Sequence, residues 1–220
     1  MTRRDIVLAL AALASAGSFA GAQSKTLAKV GNEGGPLRFV VAATGNEARY
    51  RVREQLVNLD LPNDAVGITH DISGSLLVNP NGSIIADSSR ITVNVAALKS
   101  DKDRRDNYIR MHTMETAKYP TVTIVPKSFA GLTVKPGAAP MDFDMVGDLT
   151  VHGVTRPTTW KVSAHSEGGD IVGTATTSFT FKDFSLDQPK VSVLLSVEDT
   201  IKLEYDFRFT PVGKTSTNAP

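Results

Sequence analysis

The strongest constraint on how this chain can fold is a period of two near its end. Ile201, Leu203, Tyr205, Phe207 and Phe209 alternate with Lys202, Glu204, Asp206 and Arg208. Successive side chains of a strand point to opposite faces, so this stretch reads as a strand with one buried apolar face and one charged face in water. A helix would scatter the same residues around its circumference. Matching alternation runs through Ile91, Val93 and Val95, through Met141, Phe143 and Met145, and through Trp160, Val162 and Ala164. Further strands are expected at 37–43, 48–57, 68–78, 121–125, 171–181 and 191–197.

Turn residues punctuate these segments. Asn79-Pro80-Asn81-Gly82 and Glu167-Gly168-Gly169-Asp170 supply the Gly and Asn that tight hairpins need for positive φ. About eight to ten short-linked strands without alternating helices predict an all-β, antiparallel barrel or sandwich. Ser73-Gly74-Ser75 reads as a strand with a small kink. One segment departs from the β pattern. Ser100 followed by Asp101 and Asp103 resembles a helix start, and a helix is predicted from Asp101 to about Ala117, stopped by Pro120. Its apolar residues, Tyr108, Ile109, Met111 and Met114, form a partial stripe suited to covering one end of a sheet.

The chain has 220 residues and opens on Arg3 and Arg4, an apolar run from Ile6 to Ala14, and a small-x-small close at Ala20-Gly21-Ala22. Residues 1–22 therefore read as an export signal, which places the protein in the periplasm or outside the cell. Residues 23–36 read as a flexible leader, 37–210 as a single barrel domain and 211–220 as a flexible tail. No later segment is apolar for long enough to span a bilayer, so no integral membrane segment is expected after cleavage.

Charge and chemistry remove other function classes. With 24 basic and 23 acidic residues the formal charge is +1, which gives no field to recruit nucleic acid. The chain has no cysteine, which excludes disulfides, thiolate sites and a lipid-modified anchor. His70, His112, His152 and His165 are scattered without metal-ligand spacing, and no metal or cofactor is expected. Asp142 and Asp144 share a strand face that reads as outward and solvated. No nucleophile elbow, phosphate loop or dinucleotide fingerprint is found, so the chain reads as a non-enzyme.

Several motifs together resemble one family. They are Arg105-Asp106 with Tyr108-Ile109-Arg110, the Tyr119-Pro120 that opens a strand, and Gly147-Asp148-Leu149-Thr150-Val151-His152-Gly153-Val154-Thr155-Arg156-Pro157. This combination resembles the YceI-like proteins. The resemblance implies an exported, lipocalin-like antiparallel barrel of about eight strands, with one short helix over an end, that holds a polyisoprenoid, an isoprenoid quinone or a related long-chain lipid. Two departures stand out. The family's paired phenylalanines are replaced by Met111-His112-Thr113-Met114-Glu115, which suggests a different mouth. Its acidic-aromatic-glycine turn is here Asp183-Phe184-Ser185, which suggests a less contorted backbone.

A lipid carrier needs an apolar lining, a polar exterior and a mouth. The lining candidates are Phe143, Met145, Trp160, Val162, Phe179 and Phe181; Tyr108, Met111 and Met114 form either a lid or a plain cap. Each lining residue also suits an ordinary core. His152 and Arg156 read as structural or turn residues, or as contacts to a ligand head group. Two alternatives stay open: a solid-core β-sandwich binding glycan or protein, and a lipid-modifying enzyme. Exposed strand edges would also allow a homodimer across a two-fold axis.

Overall fold

The computed structural model describes residues 35–130 and 140–212, so the predicted signal segment and most of the leader lie outside the described residues. Ten strands follow in chain order: β1 (Leu37–Val41), β2 (Glu47–Leu56), β3 (Asn63–Thr69), β4 (Ile72–Val78), β5 (Arg90–Asn94), β6 (Thr121–Ala130), β7 (Met141–Val151), β8 (Val154–Glu167), β9 (Asp170–Thr180) and β10 (Leu194–Val212). The ring β1-β4-β5-β6-β7-β8-β9-β10 closes through a β1–β10 pairing, giving an eight-stranded antiparallel barrel, and the β2–β3 hairpin continues the wall along the other half of β10. Closure satisfies the backbone groups that an open sheet would leave at its edges.

Two predicted breaks and joins differ from the structure. The 68–78 segment is two strands, because the chain bends at His70 and Asp71 between β3 and β4. The 191–197 and 201–209 segments are one strand, β10, whose pairing with β2 slips between Val197 and Ile201. Its long span lets β10 pair with β2 near its start and with β1 at its end, where Val212 pairs with Arg38. Pro211 and Val212 thus belong to the barrel rather than to the tail. The bend between β1 and β2 is stitched by Asn46, which is buried. Its Nδ2 donates to the Ala42 carbonyl at 2.9 Å, while its Oδ1 accepts from Tyr205 Oη and Arg208 N, each at 3.0 Å.

The hairpins follow their turn residues. Gly168 and Gly169 have φ of 60° and 98° between the paired Glu167 and Asp170, and His152 and Gly153 have φ of 51° and 77° between Val151 and Val154. The predicted helix is shorter than expected. It comprises α1 (Asp103–Tyr108) and a single π-helical turn, Ile109–Thr113, closed by a 2.8 Å bond from Met114 N to the Ile109 carbonyl. Glu115, at φ 44°, ends it well before Pro120. Ser100 does not cap the first turn; it holds Asp106 instead, through Ser100 N and Oγ donating to Asp106 Oδ1 at 2.9 and 2.6 Å. The Asp183-Phe184-Ser185 turn is also more contorted than expected. Ser185 takes φ 54°, the left-handed region where glycine is usual, with Phe184 fully buried behind it.

Candidate functional site

The barrel interior divides along its axis. At one end Phe39, Met145, Val162, Ala164, Ala175, Phe207 and Phe209 close into a core. Phe207 seats its ring on Gly173, where an added Cβ would lie 2.7 Å from the ring tip. At the other end β7 to β10, joined by β2, β3, β5 and β6, surround a cavity of about 990 Å³. That volume lies at the upper end of the roughly 300–1,000 Å³ typical of small-molecule sites.

The cavity walls are apolar. Val52, Val93, Val95, Val122, Ile124, Ile201 and Tyr205 line them, with Trp160 and Phe179 from β8 and β9. Trp160 is 2% exposed and satisfies its indole N–H on Thr158 Oγ1 at 2.9 Å, leaving a dry ring against the cavity. Phe181 and Leu186 extend the lining from the turn after β9, which is anchored by Phe184 stacking edge-on against Phe179 at 4.6 Å. Above lie α1 and the π turn, which bring Tyr108, Ile109, Thr113 and Met114 to the cavity. The rim carries exposed Leu59 and Val193, and the backbone of Val57 donates to the Val193 carbonyl across it.

The mouth is polar. Glu54, on the inward side of β2, is buried, and its Oε1 accepts from Arg105 Nη2 at 2.5 Å and from Asn63 Nδ2 at 3.3 Å. Arg105 also pairs with Asp101. Beside them Tyr50 lays its ring over Gly67, whose absent Cβ would sit 2.1 Å from Tyr50 Cε1. Burial is the main cause pushing the Tyr50 hydroxyl well above the usual phenol range, so it stays protonated.

These features coincide with a match to a family model described as the YceI-like domain, which spans residues 40–209. The chain belongs to the YceI-like family. A relative named protein YceI from Escherichia coli is 30% identical over 126 residues, covering 51% of this chain and 62% of the relative. A UPF0312 protein from Pseudomonas putida is 33% identical over 112 residues, covering 47% of this chain and 55% of that one. The matched stretch therefore spans less than two thirds of either curated relative. Two solved structures share the fold. A polyisoprenoid binding domain from Saccharophagus degradans implicated in plant cell wall breakdown matches with TM-score 0.60 and 15% identity, covering 79% of this chain and 98% of that one. Burkholderia cenocepacia BcnA matches with TM-score 0.55 and 15% identity, covering 74% and 95%.

Within this YceI-like barrel the expected lining residues divide. Trp160, Phe179 and Phe181 reach the cavity, as do Tyr108 and Met114 from the helical cover. Met145 and Val162 point inward but lie in the packed end, and Phe143 sits at its margin, edge-on to Phe129 at 5.5 Å. The residue facing one way along a strand repeats every second position, but whether it meets a neighbour or empty space depends on depth in the barrel. Met111 is 68% exposed and lines nothing. The wide π turn brings Thr113 and Met114 to the face shared with Tyr108 and turns Met111 away. His152 does not line the cavity; it bonds Glu115 Oε2 at 2.7 Å and stacks against Tyr119 at 4.4 Å. Arg156 Nε donates to the Asp183 carbonyl at 3.0 Å.

Sequence reasoning missed Tyr50, Glu54, Asn63, Arg105 and Thr113 as site residues. A signal for one of them was present. Ala48, Tyr50, Val52, Glu54 and Leu56 share one strand parity, and a carboxylate on an otherwise apolar parity marks either a buried pair or a site.

Proposed function

We propose that this chain is an exported, non-enzymatic carrier or store for a long-chain isoprenoid, an isoprenoid quinone or a similar amphiphilic lipid, held inside the barrel. The observation that carries this reading is the apolar cavity of about 990 Å³ beneath a helical cover. Each CH₂ removed from water gains about 0.8 kcal/mol, so a chain of about twenty carbons gains on the order of 15 kcal/mol before ordering costs. A dry wall of Val, Ile, Trp and Phe supplies that gain without a charged clamp. The Saccharophagus relative, named for polyisoprenoid binding, supports the ligand class. Export to the periplasm or beyond is supported by the charged, apolar and small-residue order of residues 1–22. The hollow interior favours this reading over a solid sandwich that binds through its surface.

The test is organic extraction of the protein purified from its native compartment, followed by mass spectrometry and by uptake assays with offered polyprenols and quinones. A stoichiometric long-chain lipid is expected. Absence of any co-purifying lipid, together with no uptake, overturns the reading.

A further inference from the structure

Four buried side-chain atoms in the described structure have no hydrogen-bond partner: Tyr50 Oη, Asn63 Oδ1, Asp106 Oδ2 and Thr113 Oγ1. They are not scattered. Tyr50, Asn63 and Thr113 all line the cavity, and Asp106 sits in α1 beside Arg105, close enough for its charge to act on Tyr50. Leaving one such group dry and unpaired costs about 1–3 kcal/mol, so several gathered at one cavity mouth mark a place built for a partner that brings its own hydrogen bonds. Thr113 is 7% exposed, and the π turn is what aims it inward.

The charges around this cluster define what the partner is. Arg105, half-buried, is the cation at the cluster itself, and it is already engaged: Nη2 on Glu54 and Nη1 on Asp101. The buried acids Glu54 and Asp106 flank it, while Lys102 and Arg104, which also line the mouth, are exposed at its rim. An anionic head group seated on this cluster would meet two buried carboxylates and a guanidinium already engaged by Glu54 and Asp101, with Lys102 and Arg104 placed only at the exposed rim, where water screens them. A neutral oxygen would meet the Tyr50 and Thr113 hydroxyls as donors, and a hydroxyl would also satisfy Asn63 Oδ1 as an acceptor. Gly67 is part of the same arrangement, since any side chain there would push Tyr50 off its seat.

We propose that the Tyr50, Asn63 and Thr113 cluster is a head-group site for an uncharged, oxygen-bearing lipid, a hydroxyl or a carbonyl at the end of the chain, and that it discriminates against phosphorylated lipids of the same length. This rests on the lipid-carrier reading and specifies which end of the lipid is held, and how.

The test uses the purified full chain and three probes with the same isoprenoid tail of about twenty carbons: the alcohol, the monophosphate and the head-group-free hydrocarbon. Binding is read from the fluorescence of Trp160, the sole tryptophan, which lines the cavity. The alcohol is expected to bind about tenfold or more tighter than the monophosphate, and tighter than the hydrocarbon. In Tyr50→Phe and in Thr113→Val the advantage of the alcohol over the hydrocarbon should shrink by about three- to tenfold. Both variants remove an unpaired buried hydroxyl, so the melting temperature of the lipid-free protein should hold or rise. Equal or tighter binding of the monophosphate overturns the proposal, as does an undiminished alcohol advantage in both variants. A lowered melting temperature in both would mark the hydroxyls as structural and overturn it too. Hydrocarbon binding without any head-group preference sinks this proposal and leaves the carrier intact, whereas no binding of any probe sinks both.

Discussion

The packed end and the hollow end of this barrel share β7, β8, β9 and β10 and the same alternation, yet they do opposite things with it. Along β10, Phe207 and Phe209 press against each other at 5.5 Å, while Ile201 and Tyr205, on the same face, border empty space. Each end seats an aromatic ring on a glycine. Phe207 on Gly173 completes a core, whereas Tyr50 on Gly67 presents an unpaired hydroxyl to the cavity mouth. Stability and function are thereby divided along one axis. The packed end supplies the interior contacts that the hollow end forgoes, and the hollow wall is braced from outside. There Arg49 bridges Glu47, Glu204 and Asp206, and Arg51 and Arg53 share Asp64.

The sharpest way to break this division is to cut each end. Phe207→Ala should lose about 3–5 kcal/mol in urea unfolding, because its neighbours cannot collapse into the void. Met114→Ala, at the cavity roof, should lose only about 1–2 kcal/mol, since its side chain already faces open volume, while lipid dissociation quickens. Equal losses would mean that the cavity is packed in solution. Arg105→Ala is the next largest test. It strands Glu54, 8% exposed at its side chain, and should cost about 2–3 kcal/mol, below the roughly 3–5 kcal/mol of a fully enclosed pair.

Adding volume should have opposite consequences at the two ends. Ala164→Phe overpacks the filled end and should cost about 1–3 kcal/mol. Ala65→Phe grows into the cavity and should leave the melting temperature nearly unchanged while lipid uptake falls. The outer bracing is tested by pH. Lys202, against the opposing effect of burial and together with Arg49 and Arg51, lowers the Glu204 carboxyl from its ordinary 4.5 to about 2. A carboxyl lowered on folding stabilises above its unfolded value and loses that stabilisation as the pH falls through its folded one. Wild type should therefore lose stability between about pH 4.5 and 2, and Glu204→Gln should remove on the order of 1 kcal/mol of that slope after solvent screening. The smallest expected effect is a gain. Ser185→Gly should relieve the left-handed strain beneath the cavity and add about 0.5–1 kcal/mol, offset in part by the freer unfolded chain.

Much of the fold was legible because strand alternation and turn chemistry are local. Gly168-Gly169 makes its hairpin whatever surrounds it, and β9 lies within a residue of its expected bounds, while β7 and β8 contain the expected Met141–Met145 and Trp160–Ala164 alternations but run on to meet at His152 and Gly153. The errors came where distant partners decide. β10 runs unbroken because β9 and β2 hold it on either side, and Ser185 adopts a glycine's conformation because Phe184 is buried beside it. The helix lost its second half to a π turn, a feature that no local propensity announces.

The same boundary runs through the site. Parity along a strand told which residues face inward, and it did so for Trp160, Phe179, Met145 and Val162 alike. It could not tell that the first two border a cavity while the last two lie within packing. That distinction depends on how far along a closed, staggered ring each residue falls, and hence on which side chains arrive from strands far away in the chain. Inside and outside were written in the order of the amino acids; full and empty were decided only when the barrel closed, because a void is a property of every wall at once.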